Sequence, residues 1–364
     1  MMQNIVFTCG GTGGHIIPAL TLASLLKKSL PMWGLHFLGR EGSKEEEWVK
    51  REGYPFHAIY SASYKRGKYL ENLKVIKEIY KGIASAIKHL NILKPRIVIG
   101  TGGYVSLPVY IACGLKRIPL AIQEQNSYAG LANRVGGYFA DLVFIGFNEA
   151  KKYFPPYKVF YTGNPLRDGI FSGDRERSRE KFGILKSSFV ILVFGGSQGS
   201  RIINQTFIDI VPDFKSDIEV IWITGEGDYE VIKEKTSSFS NIKVYPFIWN
   251  MHDAYGSSDI AISRAGALTV SELISLGIYS IYIPLKISAD NHQLYNARSA
   301  EENGLGVVIE EKDLKREILL EKINELYNKR DEIKSLKKVD THKDASNKIV
   351  EIIMKGVISE SYVT

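Results

Sequence analysis

The stretch Ile5-Val6-Phe7-Thr8-Cys9-Gly10-Gly11-Thr12-Gly13-Gly14-His15 runs a β-branched and aromatic segment straight into a glycine turn. Residues 18–28 behind it carry apolar positions at helical spacing. The same grammar returns four times. Residues 97–99 lead into Gly100-Thr101-Gly102-Gly103-Tyr104, and residues 190–194 into Gly195-Gly196-Ser197-Gln198-Gly199. Residues 220–224 lead into Gly225-Glu226-Gly227, and residues 260–263 into Arg264-Ala265-Gly266-Ala267. Continuous apolar strands alternating with helices predict parallel sheets covered on both faces, an α/β fold. The restart near residue 188 predicts two doubly wound units.

The chain has 364 residues, enough for two domains, and its 45% hydrophobic and 24% charged content is that of a globular protein. A boundary is expected at residues 162–179, where Gly163-Asn164-Pro165 reads as a turn and residues 174–181 are charge-rich. The expected domains are 1–163 and 164–343, with 344–364 as a terminal amphipathic helix packing back on the first. Cys9 and Cys113 form no C-x-x-C, which points to a reducing compartment and no cysteine metal site. Residue 1 runs almost directly into a strand, without signal-peptide layout, and no apolar run reaches the length of a membrane span. The expected location is cytoplasmic or peripheral.

A strand that ends in glycines and opens a helix exposes backbone N–H groups at the positive end of the helix dipole, and glycine lets a phosphate approach closely. Each turn alone can equally be a tight βα connection. Several at the same ends of parallel strands point to phosphate binding. Residues 10–15 do not fit G-x-G-x-x-G, because position 16 is Ile, and no G-x-x-x-x-G-K-[ST] occurs. A nicotinamide enzyme and a P-loop ATPase are thereby disfavoured. No D-x-D pair and no zinc spacing of histidines is present, so pyrophosphate charge falls to amides, helix ends and a cation such as Arg167.

The order of motifs is specific. Gly10-Gly11-Thr12-Gly13-Gly14-His15, Gly102-Gly103-Tyr104-Val105-Ser106, Glu124-Gln125-Asn126, Gly163-Asn164-Pro165-Leu166-Arg167, Gly195-Gly196-Ser197-Gln198-Gly199-Ser200-Arg201, Arg264-Ala265-Gly266-Ala267-Leu268-Thr269-Val270-Ser271-Glu272 and Asp290-Asn291-His292-Gln293 occur in this sequence. In that order the chain closely resembles the MurG family of peptidoglycan glycosyltransferases over nearly its full length. The resemblance implies a GT-B fold of two Rossmann-like domains facing across a cleft. It implies inverting transfer of GlcNAc from UDP-GlcNAc to the C4 hydroxyl of the muramyl sugar of lipid I, giving lipid II at the cytoplasmic face of the membrane. No cofactor is implied. Carried over by position, Thr12, Gly13, Gly14, Asn126, Arg167, Ser197, Ile248, Ala267, Leu268, Thr269, Val270, Ser271, Glu272 and Gln293 correspond to UDP-GlcNAc-binding positions. Gly103 and Tyr104 fall on the acceptor side. Two departures are visible: Gln123 stands where His is commoner, and Leu107 replaces a small residue.

Beside the resemblance, elementary chemistry assigns roles. Glu272, one turn into a helix opened by Gly266, can accept both ribose hydroxyls, or be a helix N-terminal acid stabilised by the dipole. Ile248 can offer its backbone to uracil, although a core isoleucine is the plainer reading. Gln293 can bond sugar hydroxyls or be an exposed helix residue. His15 suits the base that takes the acceptor proton, or only orients a phosphate; Glu124 is its rival.

The net charge of +7 is concentrated. Between residues 64 and 94 stand Lys65, Arg66, Lys68, Lys74, Lys77, Lys81, Lys88 and Lys94 against Glu71 and Glu78. Leu73, Ile76, Tyr80, Ile83 and Ile87 recur at helical steps beside Lys74, Lys77 and Lys81. This reads either as a core-facing stripe with a solvated charged face, or as a helix meeting lipid and anionic headgroups. Nucleic acid is disfavoured, because no binding motif accompanies the charge. The rival functions are a UDP-GlcNAc 2-epimerase, a non-catalytic UDP-sugar-binding scaffold and a dehydrogenase.

Overall fold

The computed structural model describes residues 3–61, 69–167, 169–196, 198–286, 291–336 and 338–358, with backbone alone at 69–76 and 357–358. The chain divides into two units, Met1–Arg167 with Thr341–Thr364, and Asp168–Asp340.

The first unit is built on β1 (Asn4–Thr8), β2 (Gly34–Gly39), β3 (Phe56–Ala58), β4 (Ile97–Gly100), β5 (Leu120–Glu124), β6 (Leu142–Ile145) and β7 (Val159–Tyr161). All pair in parallel, in the order β3-β2-β1-β4-β5-β6-β7. The second unit has β8 (Phe189–Phe194), β9 (Ile218–Ile223), β10 (Ile242–Tyr245), β11 (Ile260–Ser263), β12 (Tyr279–Tyr282) and β13 (Gly306–Val308). These are parallel in the order β10-β9-β8-β11-β12-β13. Both sheets follow the doubly wound Rossmann order. Central strands such as β4 and β8 are buried along their whole length, because helices cover both faces.

In each sheet the strand order reverses once, between β1 and β4 and between β8 and β11. At such a point two successive crossovers leave in opposite directions, and a crevice opens at the carboxyl ends of the strands. The glycine turns after β1, β4, β8 and β11 all fall there.

The segment after residue 340 returns to the first unit. Helix Ala345–Ile353 buries Ile349 and Ile353 completely in the cluster formed by Ile5, Phe7, Leu22, Leu26 and Phe37. Each such isoleucine stabilises by roughly 1.5–3 kcal/mol. Just before it, His342 is 2% exposed, and its Nδ1 accepts the backbone N–H of Asn164 at 2.8 Å. Burial alone pushes this imidazole down to a pKa of about 3.

The second unit holds a buried ion pair. Arg179 donates from Nη2 to Asp259 Oδ2 at 2.8 Å, and from Nε and Nη1 to the carbonyls of Ser257, Lys186 and Ser188. The Asp259 carboxylate also accepts Val190 N–H at 2.8 Å and the guanidinium of Arg175. The pair ties helix Arg175–Lys181 to the start of β8.

Helix Tyr69–Leu93 carries the basic stretch. Among the residues whose side chains are described, its fully buried line is Gly82, Ala86, Leu90 and Leu93, and Ile87 of the expected stripe packs partly buried against the same core. Tyr80 is 70% exposed, and Ile83 is only half-buried. Lys77 is exposed, and Lys81 pairs with Glu78 at 2.8 Å. Gly82 permits the packing, since a Cβ there would lie 2.4 Å from the Tyr60 carbonyl oxygen. The side chains of Leu73, Lys74 and Ile76 lie outside the described residues, as do Lys65, Arg66 and Lys68. Among the described residues no helix is long and apolar enough to cross a membrane.

Candidate functional site

The helices that open on the four glycine turns are Gly13–Ser29, Ser106–Lys116, Arg201–Ile208 and Ala267–Leu276. None has an acidic residue in its first turn, and none has a side-chain cap bond. Two other helices do carry a side-chain cap, Ser43 accepting from Glu46 N–H and Asp174 from Arg177 N–H. Helices Leu131–Phe139, His292–Glu302 and Ala345–Ile353 are also uncapped and acid-free but do not open at a switch point. The four helices therefore present uncompensated positive ends at the two switch points, suited to phosphate oxygens.

In the first unit the two turns touch. Gly103 has φ +87°, and a Cβ there would stand 2.1 Å from the Gly10 carbonyl oxygen. Only glycine allows this approach. Thr12 and Gly14 are exposed on the rim of the first turn with Gly13 half-buried between them, and Tyr104 of the second accepts a hydrogen bond from Arg40 Nη1 at 3.0 Å. His15 sits against the second turn, with Nδ1 at 3.0 Å from the Thr101 carbonyl oxygen and 2.8 Å from Gln125 Oε1. Thr101 Oγ1 donates back to the His15 carbonyl at 2.7 Å.

Glu124, at the end of β5, is fully buried. Its Oε1 accepts from Asn126 N and Nδ2 at 2.9 and 3.0 Å, and its Oε2 from Gly130 N and Asn133 Nδ2 at 3.0 and 2.9 Å. Four donors occupy this carboxylate, which fixes the loop bearing Asn126. Gln123 is also fully buried, donating to Asn164 Oδ1 at 2.9 Å. Asn164 Nδ2 in turn donates to the Gln125 carbonyl at 2.9 Å. Arg167 is exposed at the end of the first unit.

In the second unit Val270 N donates to the Gly266 carbonyl at 2.9 Å, and the amides of Ala267, Leu268 and Thr269 lead the helix. Glu272 is 4% exposed, and the Tyr255 hydroxyl donates to its Oε2 at 2.8 Å. Val270 and Ser271 have fully buried side chains, so neither side chain faces solvent at the turn. Arg264, just before the turn, is held by Glu311 at 2.6 Å and by the Ile283 carbonyl. Gln293 accepts Leu285 N–H through Oε1 at 3.0 Å, which leaves its amide N–H groups for other partners. Ile248 is half-buried in the loop after β10 and, among the described residues, lies in none of the three hydrophobic clusters, contrary to the core reading. Exposed Phe247 and Trp249 flank it with rings 4.9 Å apart. Ser197 lies outside the described residues.

Tyr110 and His342 were not marked by any local motif. Buried Tyr110 accepts Gly102 N–H at 3.1 Å and donates to Asn133 at 3.0 Å, linking the second glycine turn to the Glu124 network. Both cysteines are free and buried, with thiol pKa values pushed up by that burial. Among the described residues no group of three or more His, Cys, Asp or Glu is arranged to hold a metal.

Residues 5–145 match the glycosyltransferase family 28 N-terminal domain, and residues 190–351 the family 28 C-terminal domain. A relative from Acetivibrio thermocellus, named UDP-N-acetylglucosamine--N-acetylmuramyl-(pentapeptide) pyrophosphoryl-undecaprenol N-acetylglucosamine transferase, is 39% identical and covers 92% of each chain. The structure of Acinetobacter baumannii MurG superposes with a TM-score of 0.78 at 26% identity, covering 97% of this chain and 99% of that one. UDP-GlcNAc 2-epimerase from Neisseria meningitidis shares the fold, with a TM-score of 0.67 at 15% identity and coverage of 98% and 100%.

Proposed function

Because the chain belongs to glycosyltransferase family 28, the family of MurG, we propose that it transfers N-acetylglucosamine from UDP-GlcNAc to the muramyl sugar of lipid I, forming lipid II. The observation that carries this reading is the pairing of a doubly wound sheet in each unit with uncapped, acid-free helix starts at each switch point. One such crevice serves the nucleotide pyrophosphate, the other the pyrophosphate of the lipid acceptor.

The second unit takes the donor. Amides of Ala267, Leu268 and Thr269 meet phosphate oxygens, Glu272 accepts the ribose hydroxyls, the Ile248 loop offers backbone to uracil, and Gln293 reaches the sugar. In the first unit Thr12, Gly13, Gly14, Asn126 and Arg167 are donor-binding positions, the first turn also receives the acceptor's pyrophosphate, and Gly103 and Tyr104 serve the acceptor. His15 removes the proton of the C4 hydroxyl as that oxygen attacks the anomeric carbon with inversion. The commitment of Glu124 to four internal donors favours His15 over it. Fixed amides stabilise the departing UDP without reorganising, the larger contribution to rate.

The protein works as a peripheral protein on the cytoplasmic face of an anionic membrane. Exposed Tyr80 beside Lys77 and Lys81 supports adsorption there. UDP release from UDP-GlcNAc should depend on added lipid I. Release without acceptor, or conversion of UDP-GlcNAc alone into another UDP-sugar, would refute the transferase reading.

A further inference from the structure

Gln125 lies at the centre of an over-determined hydrogen-bond network. Its Nε2 donates to the backbone carbonyls of Thr101 at 2.8 Å and Gln123 at 3.0 Å. Both are acceptors only, so the amide has one orientation: turned over, its oxygen would face two carbonyl oxygens. Oε1 is thereby aimed at His15 Nδ1, 2.8 Å away, where the Thr101 carbonyl also stands at 3.0 Å. Two oxygens with lone pairs toward Nδ1 require a proton on it. A neutral His15 then carries its lone pair on Nε2, which has no hydrogen-bond partner among the described residues. Gly102 leaves room for the contact, since a Cβ there would lie 3.1 Å from Nδ1.

We propose that Gln125 is a positioning residue that locks His15 as the Nδ1–H tautomer, so that Nε2 receives the proton of the acceptor hydroxyl. This rests on the base role given to His15 above. In the step, the acceptor O–H bond breaks as an N–H bond forms at Nε2. The oxygen forms its bond to the anomeric carbon, and the bond from that carbon to the UDP oxygen breaks, its electron pair leaving with UDP. A histidine in the opposite tautomer would present a proton where a lone pair is needed.

The primary test is ¹⁵N NMR of the imidazole nitrogens in the full-length protein at neutral pH, with the His15 signals identified by their loss in His15→Gln. A protonated Nδ1 with a bare Nε2 is expected; the reverse pattern would overturn the proposal without touching the transferase assignment. Gln125→Met leaves only the Thr101 carbonyl, at 3.0 Å, to hold the Nδ1 proton, so it should populate the second tautomer in part and lower kcat about tenfold while leaving KM for UDP-GlcNAc unchanged. Gln125→Glu keeps an acceptor at Nδ1 but turns its second oxygen toward the Thr101 and Gln123 carbonyls, so it should not restore kcat; full activity in this variant would overturn the orientation argument. An unmixed tautomer in Gln125→Met would defeat the lock. Unchanged kcat in His15→Gln would remove the base role while leaving the lipid I-dependent reaction itself standing. If the Gln125 variants do not fold, the spectrum of the unsubstituted protein decides alone.

Discussion

Lowering the pH from about 7.5 to about 5 should destabilise the first unit by about 2 kcal/mol through His342 alone. This imidazole is buried, and its Nδ1 accepts the Asn164 N–H, so a proton at Nδ1 would face another donor. Its pKa in the fold is about 3, against 6.5 for an ordinary histidine. The folded value is the lower one, so between the two values the unfolded chain binds more protons and stability falls as pH falls. Above 6.5 both states are neutral and nothing is lost; from there down to about 3 the loss is about 1.4 kcal/mol per pH unit. Near pH 5 this amounts to RT ln(1 + 10^1.5), or about 2 kcal/mol. His342→Asn keeps an oxygen to accept Asn164 N–H but does not titrate. Urea unfolding of both proteins, followed by tryptophan fluorescence, gives the difference directly. His36 and His57, whose pKa values are also lowered by burial, are common to both and cancel. Parallel stability–pH curves for the two proteins would refute the reasoning.

Four further outcomes are expected. Gly103→Ala places a methyl 2.1 Å from the Gly10 carbonyl oxygen at a left-handed φ, and should cost about 2 kcal/mol or more in thermal unfolding with loss of transferase turnover. Arg179→Met leaves the Asp259 carboxylate buried without its main partner and should cost about 3–5 kcal/mol in the second unit, read by urea unfolding. Glu272→Gln should raise KM for UDP-GlcNAc about tenfold with kcat little changed, because an amide accepts both ribose hydroxyls poorly. Charge reversal at Lys74, Lys77 and Lys81 should weaken co-sedimentation with anionic vesicles; unchanged binding would defeat the membrane assignment.

The strands, their parallel pairing and the glycine turns were legible because they are local. A β-branched run followed by glycine and helical spacing encodes its own element, and repetition of that unit encodes a parallel sheet. On the basic helix, periodicity does not say which line is buried most deeply: Ile83 and Ile87 of the expected stripe are half-buried, beside a line of smaller residues that is buried fully. Gly82 and Ala86 face the core since small residues let the helix approach the Tyr60 backbone and Pro108, which pushes Tyr80 outward. Ile248 was read toward the core by its side chain alone, yet it stands half-buried in a loop.

What the sequence by itself determined is the fold class, the places where helix ends are left positive, and the residue types able to meet phosphate, ribose and a hydroxyl proton. Its motifs alone also supported the family. What only the tertiary structure decided is the state in which those residues are held. Glu124 and Gln125 are neighbours in the sequence. Burial against Asn133 and Gly130 makes the first an anchor, and contact with Thr101 and His15 makes the second a candidate lock. His342 is 178 residues from Asn164 and meets it only because the terminal helix returns to the first sheet. Hydrogen-bond direction and burial depend on partners distant along the chain, and no local pattern records them.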